Sequence, residues 1–418
     1  MFKLLLKGSV FKLFDFIRPL VVIPFFIRSF GVDSYGVYVQ IVLIATLMYP
    51  ILDMGIGMGV QRFSDKLADR KLIREIFGIQ RVAILFFCAM YTIAMLFVDV
   101  RELIFGPYES NAMILSSFFY ILFFSLNNTL QGVLRAQSKI GKLVKYRAVF
   151  TGLEAVLLLT VLYFIKEFSY YYILVMVLCQ IIYFLLLVKH VNGFFTFQKA
   201  SFKLSQPSKK FFKYSLVIIP TALIGWITSS SDRFFITDYF GSESTGYYSA
   251  LAQYTGYMKL IVFPFTFVYF KEFSKLFDKD FKGFKVLFLK CLSICIGLSL
   301  LFFLCLYIFR DFVFFSYLGL SHKPEFEQLV IWFLISFLLI NIASFLSTYM
   351  LVSKQTKIML YAISLGAITN FILNKFFLKD YNYANSAFYW AISVGLQILI
   401  LSIFVIRNIK MNEKNTIR

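Results

Sequence analysis

Phe30-Gly31-Val32-Asp33-Ser34-Tyr35-Gly36-Val37-Tyr38 returns 210 residues later as Phe240-Gly241-Ser242-Glu243-Ser244-Thr245-Gly246-Tyr247-Tyr248, with Phe, Gly, acid, Ser, Gly and Tyr in register. Each copy follows one long apolar run and precedes another, so each joins the first and second helix of one half of the chain. Glycine and acid also recur near helix ends as plain turn chemistry. Six agreements in nine positions at equivalent places favour an internal duplication, which divides the chain into residues 1–200 and 201–418. Six crossings are an even number, so two six-helix halves share one membrane orientation, related by a parallel pseudo-twofold.

Composition sets the number of crossings. Of 418 residues 60% are apolar, and a bilayer span takes about 20 of them, so the ceiling is about 12 spans. Only 15% of the chain is charged, against about 25% in a soluble domain, which excludes a soluble enzyme. Apolar runs place helices near 10–29, 36–60, 82–98, 110–134, 148–165, 170–188, 214–237, 246–270, 287–309, 328–352, 358–377 and 385–406. Barrel strands would alternate with a period of two, and these runs do not. The predicted fold is an all-α polytopic membrane protein of about 12 transmembrane helices in two pseudo-twofold-related six-helix bundles.

The formal charge of +20 reports topology before it reports nucleic acid, for which no binding is expected. Seven Lys and Arg fall in the odd-to-even connections. The amino terminus, the even-to-odd loops and the tail hold 32, so both termini are expected on the cytoplasmic side. Lys3, Lys7 and Lys12 precede the first apolar run without a small-residue cleavage site, so that run reads as a helix rather than a removable signal. The outer connections are short, the longest running from Arg310 to Glu327, and leave no room for an extramembrane domain.

Ionisable and polar residues inside spans carry an insertion cost and are therefore the functional candidates. Arg18, Arg233 and Lys259 are the three cations not assigned to a connection or a terminus. Asp15 stands three residues before Arg18 and can pair with it along the helix, or tune it as an anion ligand facing a cavity. Pro19 and Pro24 in the same helix make it a candidate bending element. Asp53 is a buried carboxylate in Leu52-Asp53-Met54-Gly55-Ile56-Gly57-Met58-Gly59, whose glycines permit close approach of a neighbour. Arg62 beyond them is either a cytoplasmic anchor or a cavity cation. Asp232 accompanies Arg233, and Lys259, near mid-membrane, should pair with a carboxylate or face water. Glu154, about two turns inside the cytoplasmic surface, can titrate if its surroundings are wet. Asn127, Asn128, Gln131, Asn341, Asn370 and Asn374 suit either hydroxyl-rich ligands or hydrogen bonds between helices.

Catalytic chemistry has no residue set here. There is no Gly-x-x-x-x-Gly-Lys-Ser/Thr phosphate loop, so ATP hydrolysis by that route is not expected. His190 and His322 are the only imidazoles, both in predicted loops, and no nucleophilic triad can be assembled. The five cysteines lie in apolar runs. Cys291 and Cys295 have helical spacing but no further ligand, so neither a disulfide nor a metal site is expected.

The first helix running into Ile27-Arg28-Ser29-Phe30-Gly31-Val32-Asp33-Ser34-Tyr35-Gly36, then Leu52-Asp53-Met54-Gly55 and Arg62-Phe63, resembles the opening of Wzx-type polysaccharide flippases. These belong to the multidrug/oligosaccharidyl-lipid/polysaccharide (MOP) exporter superfamily, whose members include the MATE transporters. Ser231-Asp232-Arg233-Phe234-Phe235-Ile236 through Gly246-Tyr247-Tyr248 is similar to that family's seventh-helix region. The resemblance implies translocation of an undecaprenyl-pyrophosphate-linked oligosaccharide, an O-antigen or capsule repeat unit, across a bacterial inner membrane by alternating access. In that reading Arg18, Arg62, Arg233 and Lys259 supply cations to the pyrophosphate, and the amides meet sugar hydroxyls. Asp15, Asp53, Glu154 and Asp232 are coupling or pairing carboxylates for H+ or Na+. The implied partners are the lipid-linked sugar, the bilayer, a polysaccharide polymerase and a chain-length regulator. Two rivals stand beside it: an ion-coupled multidrug antiporter of the same fold, and a membrane polymerase or glycosyltransferase. The short outer loops disfavour the latter. A peptidoglycan-precursor flippase usually carries additional C-terminal helices, for which 418 residues leave no room.

Overall fold

The computed structural model describes the backbone of residues 2–62, 70–137, 139–165, 167–191 and 205–417. Side chains are described within these from residue 16, except at 58, 61, 62, 70–74, 140, 207, 214, 217, 267, 268, 271, 278 and beyond 411. Among the described residues there are helices and no strands. They are α1 (Phe2–Asp53), α2 (Ile56–Arg62), α3 (Arg70–Ala94), α4 (Val98–Phe105), α5 (Asn111–Ala136), α6 (Ile140–Phe164), α7 (Tyr170–Val188), α8 (Gln206–Ser230), α9 (Asp232–Thr255), α10 (Lys259–Val268), α11 (Phe270–Lys279), α12 (Phe281–Ile308), α13 (Phe326–Val352), α14 (Thr356–Phe377) and α15 (Asn385–Ile417).

Ten described segments are long and apolar enough to cross a membrane, which makes this a multi-pass membrane protein. The difference from twelve lies in two segments, Phe16–Asp53 with 38 residues and Ser208–Thr266 with 59. At a rise of about 1.5 Å per residue, each is longer than a single crossing of about 30 Å requires. Each contains one residue off helical geometry: Gly31 at φ 85°, ψ 167° in α1, and Gly241 at φ 82°, ψ 175° in α9. This combination is accessible essentially to glycine alone. The duplicated motif is therefore not a loop. It is a one-residue kink between two helical arms, the same in both copies, and counting the arms separately restores twelve.

Pro19 and Pro24 both lie inside the first arm of α1, whose backbone leaves helical geometry at Gly31. Two short helices, α4 and α11, lie outside the predicted set. In α11, Phe273 is fully buried while Lys275 and Lys279 are exposed, the pattern of a helix with one face on a core and the other toward water or headgroups.

The chain forms two compact units, Met1–Trp226 and Ile227–Arg418. In the first, α1 packs on α5 and α6, and α5 on α7, around Leu130, Leu134, Tyr183, Leu187 and Phe211. Three glycines near the α1 to α2 turn permit close packing. A Cβ on Gly55 would meet the Ser215 carbonyl oxygen at 2.3 Å, one on Gly59 the Ser215 hydroxyl at 2.2 Å, and one on Gly132 of α5 the Gly57 Cα at 2.5 Å. In the second unit α13 packs on α15, α14 on α15 and α12 on α13, over an aromatic cluster of Phe273, Phe284, Phe288, Phe345 and Tyr349. Cys291 and Cys295 fill small spaces in that cluster. Large apolar side chains such as Leu85, Leu96, Tyr163, Leu301 and Ile308 are exposed, as expected of surfaces solvated by lipid rather than water.

Candidate functional site

In the first unit two of the functional candidates, Arg18 and Glu154, are brought together. Its Nη1 donates to Glu154 Oε2 at 2.7 Å; the arginine side chain is 24% exposed and the glutamate fully buried. Tyr38 and Tyr120 lie within electrostatic reach of the guanidinium. A buried carboxylate needs a partner to be tolerated, and Arg18 is the one it has. Among the described residues no other group accepts from Arg18. Glu154 Oε1 is likewise buried without a partner. Glu154 stands fourteen residues into α6, about 20 Å along the helix. The side chains of Asp15 and Arg62 lie outside the described residues.

Asp53 ends α1, and Met54 and Gly55 turn the chain through positive φ of 51° and 68° into α2. Its carboxylate accepts the Gly57 backbone N–H at 3.1 and 3.0 Å and the Thr129 hydroxyl at 2.6 Å. Gln80 Nε2 in turn donates to Thr129 at 3.1 Å. The acid thus caps α2 and ties it to α5 and α3. Both of its oxygens are engaged, in contrast with Glu154.

In the second unit, Asp232 and Arg233 open α9. Arg233 donates from Nη1 to the Ser229 carbonyl at 2.9 Å and to Asp232 Oδ1 at 3.2 Å, and from Nε to Ser249 Oγ at 3.2 Å. Its guanidinium also stands 5.6 Å from the centre of the Tyr248 ring. The Tyr248 hydroxyl donates to Asp232 Oδ2 at 2.5 Å. Lys259 was expected to find a carboxylate or water. Its half-buried ammonium stands 4.8 Å from the centre of the Phe337 ring and 5.6 Å from that of Trp390, and no carboxylate pairs with it among the described residues. Two ring faces compensate part of the charge and leave all three N–H donors free.

The amides divide between the two uses open to them. Asn127 Nδ2 donates to the Gln180 carbonyl and side chain at 2.9 and 2.7 Å, joining α5 to α7. Asn341 Nδ2 donates to the Met258 carbonyl and to Ser299 Oγ at 3.0 and 2.9 Å. Asn374 bonds Asn370 and accepts from Ser386 Oγ at 2.6 Å, joining α14 to α15. These four asparagines are at most 1% exposed, so in this conformation they are helix ties and not sugar contacts. Asn128 donates back to Phe124 of its own helix at 2.8 Å, and Gln131 is buried. Outside the spans, His190 bonds the Tyr146 hydroxyl at 2.7 Å. Partial burial and then Lys142, Lys189 and Lys139 hold its pKa below the usual imidazole value.

Sequence reasoning missed Tyr38, Thr129, Tyr248, Ser386, Phe337 and Trp390 as partners of the buried charges. For Tyr38 and Tyr248 a signal existed, because they are the matching last residues of the duplicated motif.

A family model described as "Polysaccharide biosynthesis protein" matches residues 8–277. No curated protein matches the chain by sequence. Among solved structures, the lipid II flippase MurJ in an inward closed conformation superposes with a TM-score of 0.75 at 15% identity, over 95% of this chain and 87% of that one. An inward-facing MATE-family multidrug resistance transporter of the MOP superfamily gives 0.69 at 12% identity, over 97% and 95%. A MOP superfamily transporter from Pyrococcus furiosus, whose binding pocket is described as of reverse polarity, gives 0.65 at 11% identity, over 97% and 94%. At such identities the likeness establishes the fold.

Proposed function

The chain belongs to the polysaccharide biosynthesis protein family, and from that premise we propose that it is a flippase for an oligosaccharide linked to undecaprenyl pyrophosphate. It moves an O-antigen or capsule repeat unit from the cytoplasmic to the outer leaflet of a bacterial inner membrane, by alternating access and without covalent chemistry. One observation supports this most: each unit holds, within its membrane-spanning part, a partly exposed cation with donors that meet no acceptor among the described residues, Arg18 in the first and Lys259 in the second. A pyrophosphate group offers the charge and acceptors such donors lack. A hydrophobic drug would not require them.

Coupling to H+ or Na+ belongs to the same reading, with Glu154 as its carrier. Its Oε1 is buried and unpartnered, whereas Asp53 is fully engaged as a cap.

Deletion in the native host tests the reading. Lipid-linked repeat units should accumulate on the cytoplasmic side and surface polysaccharide should be lost, with drug susceptibility unchanged. Normal surface polysaccharide in the deletion strain would refute it. Arg18→Ala and Lys259→Ala should each fail to restore surface polysaccharide at wild-type membrane abundance; full restoration by both would remove the cation assignment.

A further inference from the structure

The two kinks have the same backbone, but their arms are held together by different chemistry. In α9 the bonds that cross Gly241 fall in register. Asp232 meets Tyr248 and Arg233 meets Ser249, each pair sixteen residues apart, and nearer the apex Thr237 and Thr245 share a hydrogen bond of 2.7 Å. A uniform helix places residues sixteen apart about 24 Å from one another, so these bonds exist only because the arms fold back at Gly241. In α1 the equivalent positions, 210 earlier, are Val22, Ile23, Ile27, Tyr35, Tyr38 and Val39. There the arms close through apolar packing, with Phe26 against Tyr35 and Tyr38 at ring separations of 5.8 and 5.5 Å. The second unit thus places an ion pair and a threonine pair where the first has Val22, Ile23 and Ile27.

The polar version connects to Lys259. Tyr248 is fully buried, and its hydroxyl lies beside Ser386 at the start of α15, which continues the chain of bonds to Asn374 and Asn370 on α14. One turn after Ser386, on the same face of α15, stands Trp390, one of the two rings under the Lys259 ammonium. Lys259 itself follows Tyr248 by eleven residues and opens α10, just beyond the 3-10 turn Gly256–Met258 that ends the second arm. Tyr248 therefore reaches α15 through Ser386, and its ring packs against Phe333, whose ring in turn faces Trp390. Arg233, with donors to Ser229, Asp232 and Ser249, serves this assembly.

We propose that Asp232, Arg233 and Tyr248 are positioning residues: a polar clamp across the Gly241 kink that sets the place of Lys259 over Trp390 for binding an anionic phosphate group. The proposal rests on the reading of Lys259 as an anion ligand, and its test separates the two.

In a Trp226→Phe/Trp332→Phe background, Trp390 is the remaining tryptophan, and its emission reports the nearby ammonium. Tyr248→Phe, which removes only a hydroxyl, and Asp232→Asn should both shift Trp390 emission in the direction produced by Lys259→Met. Asp232→Glu should return it toward the parent. Inorganic pyrophosphate is the probe for the ligand reading: its affinity should fall about tenfold in Lys259→Met, the scale of one charge-assisted bond, and by a smaller factor in Tyr248→Phe. Unchanged Trp390 emission in both Tyr248→Phe and Asp232→Asn would overturn the clamp. So would loss of a monodisperse, helical protein in both, since the residues would then hold the fold rather than the lysine. Undiminished pyrophosphate binding by Lys259→Met would instead overturn the ligand reading, with the emission result still deciding the clamp.

Discussion

At the scale of single residues, the pair of Arg18 and Glu154 combines a stability role with a binding role that can be separated. Removing either partner leaves a charge in a buried setting, a change that typically costs about 3 kcal/mol or more, whereas replacing both with apolar residues is often neutral. Arg18→Met and Glu154→Met should therefore each lower the melting temperature of the purified protein. The double variant Arg18→Met/Glu154→Met should recover most of the loss while remaining inactive in flipping. Recovery of both stability and flipping would show that the pair is structural only. Asp53 belongs to a different class, because its carboxylate is saturated by Gly57 and Thr129. Asp53→Ala is expected to cost about 1.5–3 kcal/mol, the range for a hydrogen bond to a charged group, measured by thermal unfolding in detergent. Sequence located every one of these ionisable residues but not their partners. Periodicity assigns Glu154 to a helix without telling which of its faces meets Arg18, 136 positions away.

At the scale of elements, glycine does two jobs that substitution can tell apart. A Cβ at Gly31 or Gly241 would meet nothing within 4 Å, so the penalty of alanine there is the backbone conformation alone, of order 1–3 kcal/mol. Because the two share nearly the same φ and ψ, Gly31→Ala and Gly241→Ala should lower thermal stability by similar amounts. Gly132→Ala acts through packing, driving a methyl against the Gly57 backbone, with an overpacking cost of about 1–3 kcal/mol. A smaller residue cannot be placed opposite, so no substitution at position 57 should relieve it. The duplicated motif was legible in the sequence as a shared connection, and the close packing of Gly55, Gly57 and Gly59 was legible as a possibility. That the connection is a kink rather than a loop was not, because Asp33 and Ser34 read as turn residues while the chain spends only Gly31 on the turn. The asymmetry of the two clamps was also hidden. Asp232 and Tyr248 are sixteen positions apart, a spacing with meaning only once the arms fold back. Asn127 and Asn341 were likewise compatible with a cavity or a helix tie until their partners on other elements were seen.

At the scale of the whole molecule, the excess of 42 basic over 22 acidic residues concentrates in the connections expected on the cytoplasmic side, and only a few cations enter the spans. The positive-inside bias predicts that a fluorescent protein fused after Arg418 lights up in the cytoplasm, and that a periplasm-dependent phosphatase fused there stays inactive. The opposite pattern would invert the direction in which the protein is expected to work. The central claim is that this chain carries a pyrophosphate-linked oligosaccharide across a bilayer, and purified protein in proteoliposomes tests it most directly. With a fluorescent undecaprenyl-pyrophosphate oligosaccharide and a membrane-impermeant quencher, the quenchable fraction should rise faster in vesicles with the wild-type protein than in empty vesicles or vesicles with Arg18→Ala. Equal rates in all three would contradict the account.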